Sequence, residues 1–250
     1  MPMLAAVVGL FALGSLLEWL HPLGQAGAYH EFANARAWLG IPNAADVLSN
    51  VPIFLAGVAI IAKIRVAREP VAGRSSGLLV AGIGLMLTGI GSGYYHYAPN
   101  DATLIWDRLP LAVVFAGVLL TAWACADVAP PSNTDTVLFV LASLGSVAFW
   151  VYLGSLWPYA ILQFGGLAAL LWLAATNRLA GARAWWLLIL LYGLAKVFEL
   201  LDHQVWTLTH QFVSGHTIKH LMSAGAGFCL LWVAVHRPAT LRAVPSPSRA

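Results

Sequence analysis

Eight stretches of this chain are each long and apolar enough to cross a bilayer, and that property excludes nearly every soluble architecture. They run approximately over 3–20, 44–64, 77–97, 104–127, 136–155, 157–177, 184–202 and 216–236. At about 1.5 Å of rise per residue, each covers the roughly 30 Å of hydrocarbon. The expected fold is therefore all-α, a polytopic membrane helix bundle. Composition agrees: 60% hydrophobic and 9% charged residues over 250 positions, with a mean hydropathy of +0.79, lie outside the soluble globular range. The net charge of +3 carries no nucleic-acid reading in such a chain; what matters is where the basic residues sit relative to the bilayer. Cys125 and Cys229 both fall inside apolar segments far apart in sequence, which suggests neither a disulfide framework nor a thiolate metal site.

The first segment has small residues after it, Ala26-Gly27-Ala28, as a signal peptide would. No Lys or Arg precedes its apolar run, so the expectation is a retained helix. Segments five and six are separated only by Ser155-Leu156-Trp157-Pro158, with Pro158 placed to start the sixth helix. Residues 1–43 thus form an N-terminal helix and an outer loop, 44–236 a seven-helix membrane domain, and 237–250 a Pro/Ser-rich tail expected to be disordered.

Basic residues set the orientation. Lys63, Arg65, Arg68 and Arg74 lie between segments two and three, Arg178 and Arg183 between six and seven, and Arg237, Arg242 and Arg249 after eight. With eight crossings all of these share one side, which the positive-inside tendency makes the cytoplasm. Both chain ends are then expected to be cytoplasmic, or the N-terminus outside if the first segment is cleaved.

That topology groups the polar residues inside the apolar segments. Asp46, Ser49 and Asn50 open segment two from outside, Ser92 and His96 close segment three, Asp107 opens segment four, Glu199 and Asp202 close segment seven, and His216 and His220 open segment eight. His216 and His220 are four residues apart, so both imidazoles lie on one helical face about 5–6 Å apart at Cβ, close enough to hold one metal ion. Ionisable groups at this depth face the bundle interior, where they pair, bind ions or line a cavity. A single polar site shared by five helices accounts for the pattern.

Each residue also has an ordinary alternative. His96 could meet water at the interface beside an aromatic belt of Tyr94, Tyr95 and Tyr97. Ser92 could back-bond to its own helix, and Asp107 could cap segment four with Arg108 neutralising it. Lys219 is expected to snorkel outward. Glu199 and Asp202 are either a supporting pair for the site or a solvated helix end. His21, His30, His203, His210 and His236 sit near segment ends or in loops and are assigned no chemistry.

The strings Ala45-Asp46-Val47-Leu48-Ser49-Asn50, Gly91-Ser92-Gly93-Tyr94-Tyr95-His96, Trp106-Asp107-Arg108-Leu109-Pro110 and His216-Thr217-Ile218-Lys219-His220 resemble the successive motifs of the alkaline ceramidases. These are seven-helix membrane hydrolases of the wider superfamily that includes the adiponectin-receptor-type proteins. The resemblance spans 44–236 in order. It implies that His96, His216 and His220 hold zinc and that Ser92 and Asp107 are the catalytic companions that attend the metal's water. The implied activity is hydrolysis of the amide bond of a ceramide-like N-acyl lipid to fatty acid and amine. The basic-residue topology puts the site toward the extracytoplasmic side, and the Cys- and Met-poor composition, short tail and compact loops suggest a bacterial inner membrane. A non-catalytic zinc-containing lipid receptor or binding protein of the same superfamily is the alternative the resemblance leaves open. A bis-histidine haem protein is a second, with His96 opposite one of the α-helical pair. The chain departs from the family in its extra N-terminal helix and in Arg108, where an acidic residue is expected. The family's calcium (Ca2+) cluster finds only Glu31, Asn34, Asn43 and Asp46 in the matching region, which do not align with it, so the resemblance carries Zn2+ further than Ca2+.

Overall fold

Every expected segment is a helix in the computed structural model, which describes residues 2–66, 74–126 and 128–235. Six helical stretches are long and apolar enough to span a membrane. They are α1 (Pro2–Leu20), the pair α2 (Ala44–Leu48) and α3 (Val51–Val66), α4 (Arg74–Tyr97), α5 (Asp101–Cys125), α6 (Asn133–Leu153), and a sixth made of α7 (Trp157–Ala160), a π turn (Ile161–Gly165) and α8 (Gly166–Ala175). A seventh is α9 (Ala182–Leu200), which bends by 81° into the short α10 (Asp202–Leu208). The last helix, α11 (Gly215–Val235), has 21 residues. That is enough for about 30 Å, although His216, Lys219 and His220 lower the hydropathy of its first two turns. No strand forms among the described residues. The protein is an all-α polytopic membrane bundle. His236 and the tail 237–250, expected to be disordered, lie outside the described residues, as does Arg68.

Local chemistry sets the helix ends. Asn100 caps α5 by accepting the Thr103 N–H at 3.0 Å, and the Thr103 hydroxyl oxygen accepts the Asn100 N–H at 3.1 Å, a reciprocal pair that satisfies two orphan donors. Asp107 therefore sits in the second turn of α5 and does not cap it, which removes one of its ordinary alternatives. Ser132 and Asp135 form the same box at α6. Between α2 and α3 the helix breaks at Ser49-Asn50, and the Asn50 side-chain amide donates to the Asp46 carbonyl at 2.8 Å. Pro52 in the first turn of α3 costs no hydrogen bond there. This break frees Ser49 for another partner.

Close backbone contact fixes the position of α4. Gly77, Gly84 and Gly91 recur every seven residues along its face toward α5; a Cβ on Gly91 would lie 1.9 Å from the Trp106 carbonyl oxygen. From the other side, a Cβ on Gly117 of α5 would lie 2.2 Å from the Ala81 nitrogen. Without water to drive helices together, such small-residue seams let backbones approach closely enough to gain dispersion energy. Gly57 of α3 and Gly82 and Gly89 of α4 make a similar seam on the opposite side. Held between α3 and α5, α4 carries Ser92 and His96 at a fixed height. Below them, Ile53, Ile60, Leu85, Trp185, Leu188 and Leu230 are among the residues of the apolar core. Large side chains such as Leu4, Val8, Leu87, Ile90, Leu190 and Trp232 face outward, as a lipid-facing surface requires.

Candidate metal centre

Three imidazoles meet at one end of the bundle. His96 comes from the last turn of α4, His216 and His220 from the first turns of α11, and all three are buried. Their ring centroids are 4.7 Å (His96–His216), 4.9 Å (His96–His220) and 4.9 Å (His216–His220) apart. One ring nitrogen of each lies within 4.8 Å of the others. The Nε2 atoms of His96 and His216 are 3.2 Å apart. A tetrahedral cation with bonds of about 2.0–2.1 Å places two ligand nitrogens about 3.4 Å apart. Opposite axial ligands of a haem would be separated by about 4 Å across the porphyrin plane, at the same bond length. The geometry therefore favours a small cation held from one side.

The neighbours orient the rings. Ser49 Oγ lies 2.7 Å from His220 Nδ1 and 3.1 Å from the Asp46 carbonyl oxygen. A single hydroxyl hydrogen goes to the carbonyl, so His220 Nδ1–H donates to Ser49 and leaves a lone pair on Nε2. That Nε2 is buried with no hydrogen-bond partner among the described residues, as is His96 Nδ1. Orphaned polar atoms at such depth are costly, and a cation at the centre would give His220 Nε2 its partner. Anchoring a ring through its second nitrogen is how metal-binding histidines are usually held. Asp46 Oδ1 accepts from the Thr217 hydroxyl at 2.6 Å, which ties α2 to the start of α11. The Asn43 amide donates to the His96 carbonyl at 2.8 Å.

The outer loop closes the site. Asp202 accepts the His216 N–H at 2.8 Å through one oxygen and the Ala33 N–H at 2.9 Å through the other, so it holds the loop against α11. A Cβ on Gly215 would lie 2.3 Å from the Phe198 carbonyl oxygen, which shows how tightly the bend between α9 and α10 packs there. Phe32 places its ring centroid 4.7 Å from His96 and 4.6 Å from His216, roofing the triad. His30, to which the sequence assigns no chemistry, bonds Tyr95 at 2.9 Å and Asp101 at 3.1 Å. Tyr95 is buried beneath the loop while Tyr94 and Tyr97 are exposed, so only those two suit an aromatic belt.

Ser92 and Asp107 line one cavity together with His220, Lys196, Lys219 and Ser223. Arg108 makes no ion pair with Asp107 within 4 Å among the described residues. Its Nη2 donates to Gln25 at 2.6 Å, and its guanidinium carbon lies 4.3 Å from the centre of the Trp150 ring. Lys219 corrects a second expectation: instead of snorkelling outward it turns into the bundle, 2.9 Å from Glu199 and 3.2 Å from His216 Nε2. Glu199 and Asp202 support the site separately: Glu199 binds Lys196 and Lys219, while Asp202 accepts the His216 N–H and clamps the loop. The four residues available for calcium are engaged separately: Asn34 with the Arg36 N–H, Asn43 with His96, Asp46 with Thr217, and Glu31 through its carbonyl with His203. A buried group able to bind a metal ion is thus present in His96, His216 and His220.

No protein-family model, no curated protein and no solved structure matches this chain.

Proposed function

We propose that this protein is a zinc-dependent intramembrane hydrolase, which cleaves the amide bond of a ceramide-like N-acyl lipid to fatty acid and amine. The observation that carries the reading is the junction of two features: the triad of His96, His216 and His220, and a cavity of about 110 Å³ lined by His220, Ser92 and Asp107. From His220 that cavity continues along α11 to Leu230, ten residues or about 15 Å deeper. Its walls there are Leu85, Leu111, Val114, Leu162, Leu170 and Leu188, among others. A polar head over an apolar channel matches a lipid amide with its acyl chain buried.

Three neutral imidazoles suit zinc, which when bound supplies Lewis acidity and a water acidified to near neutral pH. The chain's own residues provide the rest. Asp107 is placed on the cavity wall to accept a proton and return it to the departing amine. The Ser92 hydroxyl donates to the carbonyl oxygen as negative charge develops on it. Phe32 and the outer loop shield the triad from bulk water, which strengthens every charge interaction within. The basic-residue pattern puts this end at the extracytoplasmic face, and a bacterial inner membrane is the location we assign.

Asp107→Asn keeps the three imidazoles and removes the proton acceptor. Its rate of fatty-acid release from N-acyl lipids should fall by about 10²–10⁴-fold while bound metal stays at the wild-type level. A full rate in Asp107→Asn contradicts the role given to Asp107, and no release from any N-acyl lipid by the wild type contradicts the hydrolase and leaves the non-catalytic receptor.

A further inference from the structure

The head of the cavity also holds two positive charges that the proposed reaction does not use. Lys196 of α9 and Lys219 of α11 both line it. Their ammoniums converge on a single carboxylate, Glu199, at 2.6 and 2.9 Å, and the three side chains are 27%, 16% and 19% exposed for Lys196, Lys219 and Glu199. Glu199 is the one carboxylate within 4 Å of either ammonium among the described residues, and a charge within a membrane bundle gains from a close partner of its own.

We infer that this pair is the binding site for an acidic group on the substrate: the lipid carries a carboxylate on its amine half, as an N-acyl amino acid does. The donor inventory supports this. Each ammonium has three N–H donors; Glu199 takes one from each. A further one from Lys219 faces His216 Nε2 at 3.2 Å, a nitrogen that a bound cation would claim. Among the described residues no other protein acceptor bonds either ammonium, and Lys196 Nζ lies 6.0 Å from the centre of the Tyr192 ring; both lysines line the cavity, so donors remain for a ligand there. Asp107, the only carboxylate lining that cavity among the described residues, forms no ion pair with either lysine within 4 Å. The cavity lining thus carries two ammoniums against one carboxylate, Asp107, and the channel beneath is apolar. An acyl chain with an acidic head satisfies both.

Position narrows the choice further. Lys219 Nζ lies 3.2 Å from His216 Nε2, so it reaches a group one or two bonds from an amide poised at the triad. A carboxylate on the carbon next to the amide nitrogen falls there. Within the ceramide-like N-acyl lipids, this selects those with an acidic amine half over those whose amine half is neutral and hydroxylated. This inference takes the location of the scissile amide from the hydrolase reading, but binding tests it separately.

The test uses two lipids with the same brominated acyl chain, an N-acylglycine and its methyl ester, and follows binding by quenching of tryptophan fluorescence in detergent-solubilised protein. The acid should bind at least about tenfold more tightly than the ester, a difference of about 1.4 kcal/mol. The preference should persist after the metal is removed by chelation. Lys219→Met should bring the acid down to the level of the ester, while Lys219→Arg should retain the preference. Equal binding of acid and ester by the wild type overturns the inference without needing any variant. So does a preference that vanishes on chelation, because the carboxylate was then held by the cation. Hydrolysis separates the two proposals. Faster cleavage of a ceramide than of the N-acylglycine, with equal binding, removes the acidic-head subsite and keeps the hydrolase. Preferential binding of the acid with no lipid cleaved does the reverse.

Discussion

Buried hydroxyls behave differently around the triad and away from it. Away from the triad, Thr121 donates to the Gly117 carbonyl, Ser143 to Phe139 and Ser146 to Ser143, each within its own helix. At the triad end, Ser49 reaches α11, Thr217 reaches α2, Asn43 reaches α4, and Asp202 joins the outer loop to α11. The same hydroxyl chemistry satisfies itself in one region and connects separate elements in the other. Packing holds the first region together, through glycine seams and the core around Ile60, Trp185 and Leu230. The second is a polar network that apolar packing alone would not favour, and its atoms make sense as supports for three imidazoles.

Substitutions in the two regions sharpen this contrast. The largest effect on folding should come from the seam: Gly117→Leu would drive a side chain into the backbone at Ala81, already 2.2 Å from a modest Cβ, and should cost about 3 kcal/mol or more. Its signature is a loss of monodisperse protein on gel filtration in detergent; normal yield and thermal stability would mean that α4 and α5 can separate without penalty. Ser49→Ala should fold, yet weaken metal binding by about 10–100-fold by releasing the His220 ring, as read by competition with a chromogenic chelator. Protons compete for the same lone pairs, so metal affinity should fall as the pH is lowered. The smallest effect belongs to Ser143→Ala, which removes a bond to its own helix and should change thermal stability by less than about 1 kcal/mol with metal affinity unaltered. If Ser49→Ala and Ser143→Ala behaved alike, the distinction between the two regions would be lost.

Most of the helices and the triad itself are legible in the amino-acid sequence. Length and hydropathy mark the helices, because a chain in lipid has few ways to satisfy its backbone. Spacing marks the triad, because His216 and His220 must share a face and the topology puts His96 at the same depth. Ser49 stands among the polar residues at that depth, but its role depends on a helix break that turns it toward α11. The inward turn of Lys219 is hidden because its own helix offers it no partner; Glu199 lies on α9 and is brought near only by the bundle. A signal is present all the same, since Lys196, Glu199 and Lys219 are charges of opposite sign within apolar segments and such groups seek one another. The position of Phe32 over the triad and the 81° bend after Leu200 follow from tertiary packing of an irregular loop, which leaves no periodic trace.

The central claim is that His96, His216 and His220 hold one cation in common. X-ray absorption at the metal edge of the purified protein, with metal content measured alongside, tests it most directly. The expected result is one zinc per chain, surrounded by three imidazole nitrogens at about 2.0–2.1 Å, and loss of that metal in His220→Ala. Wild-type protein that retains no metal after loading, or a His220→Ala variant with full metal content and an unchanged spectrum, would contradict it.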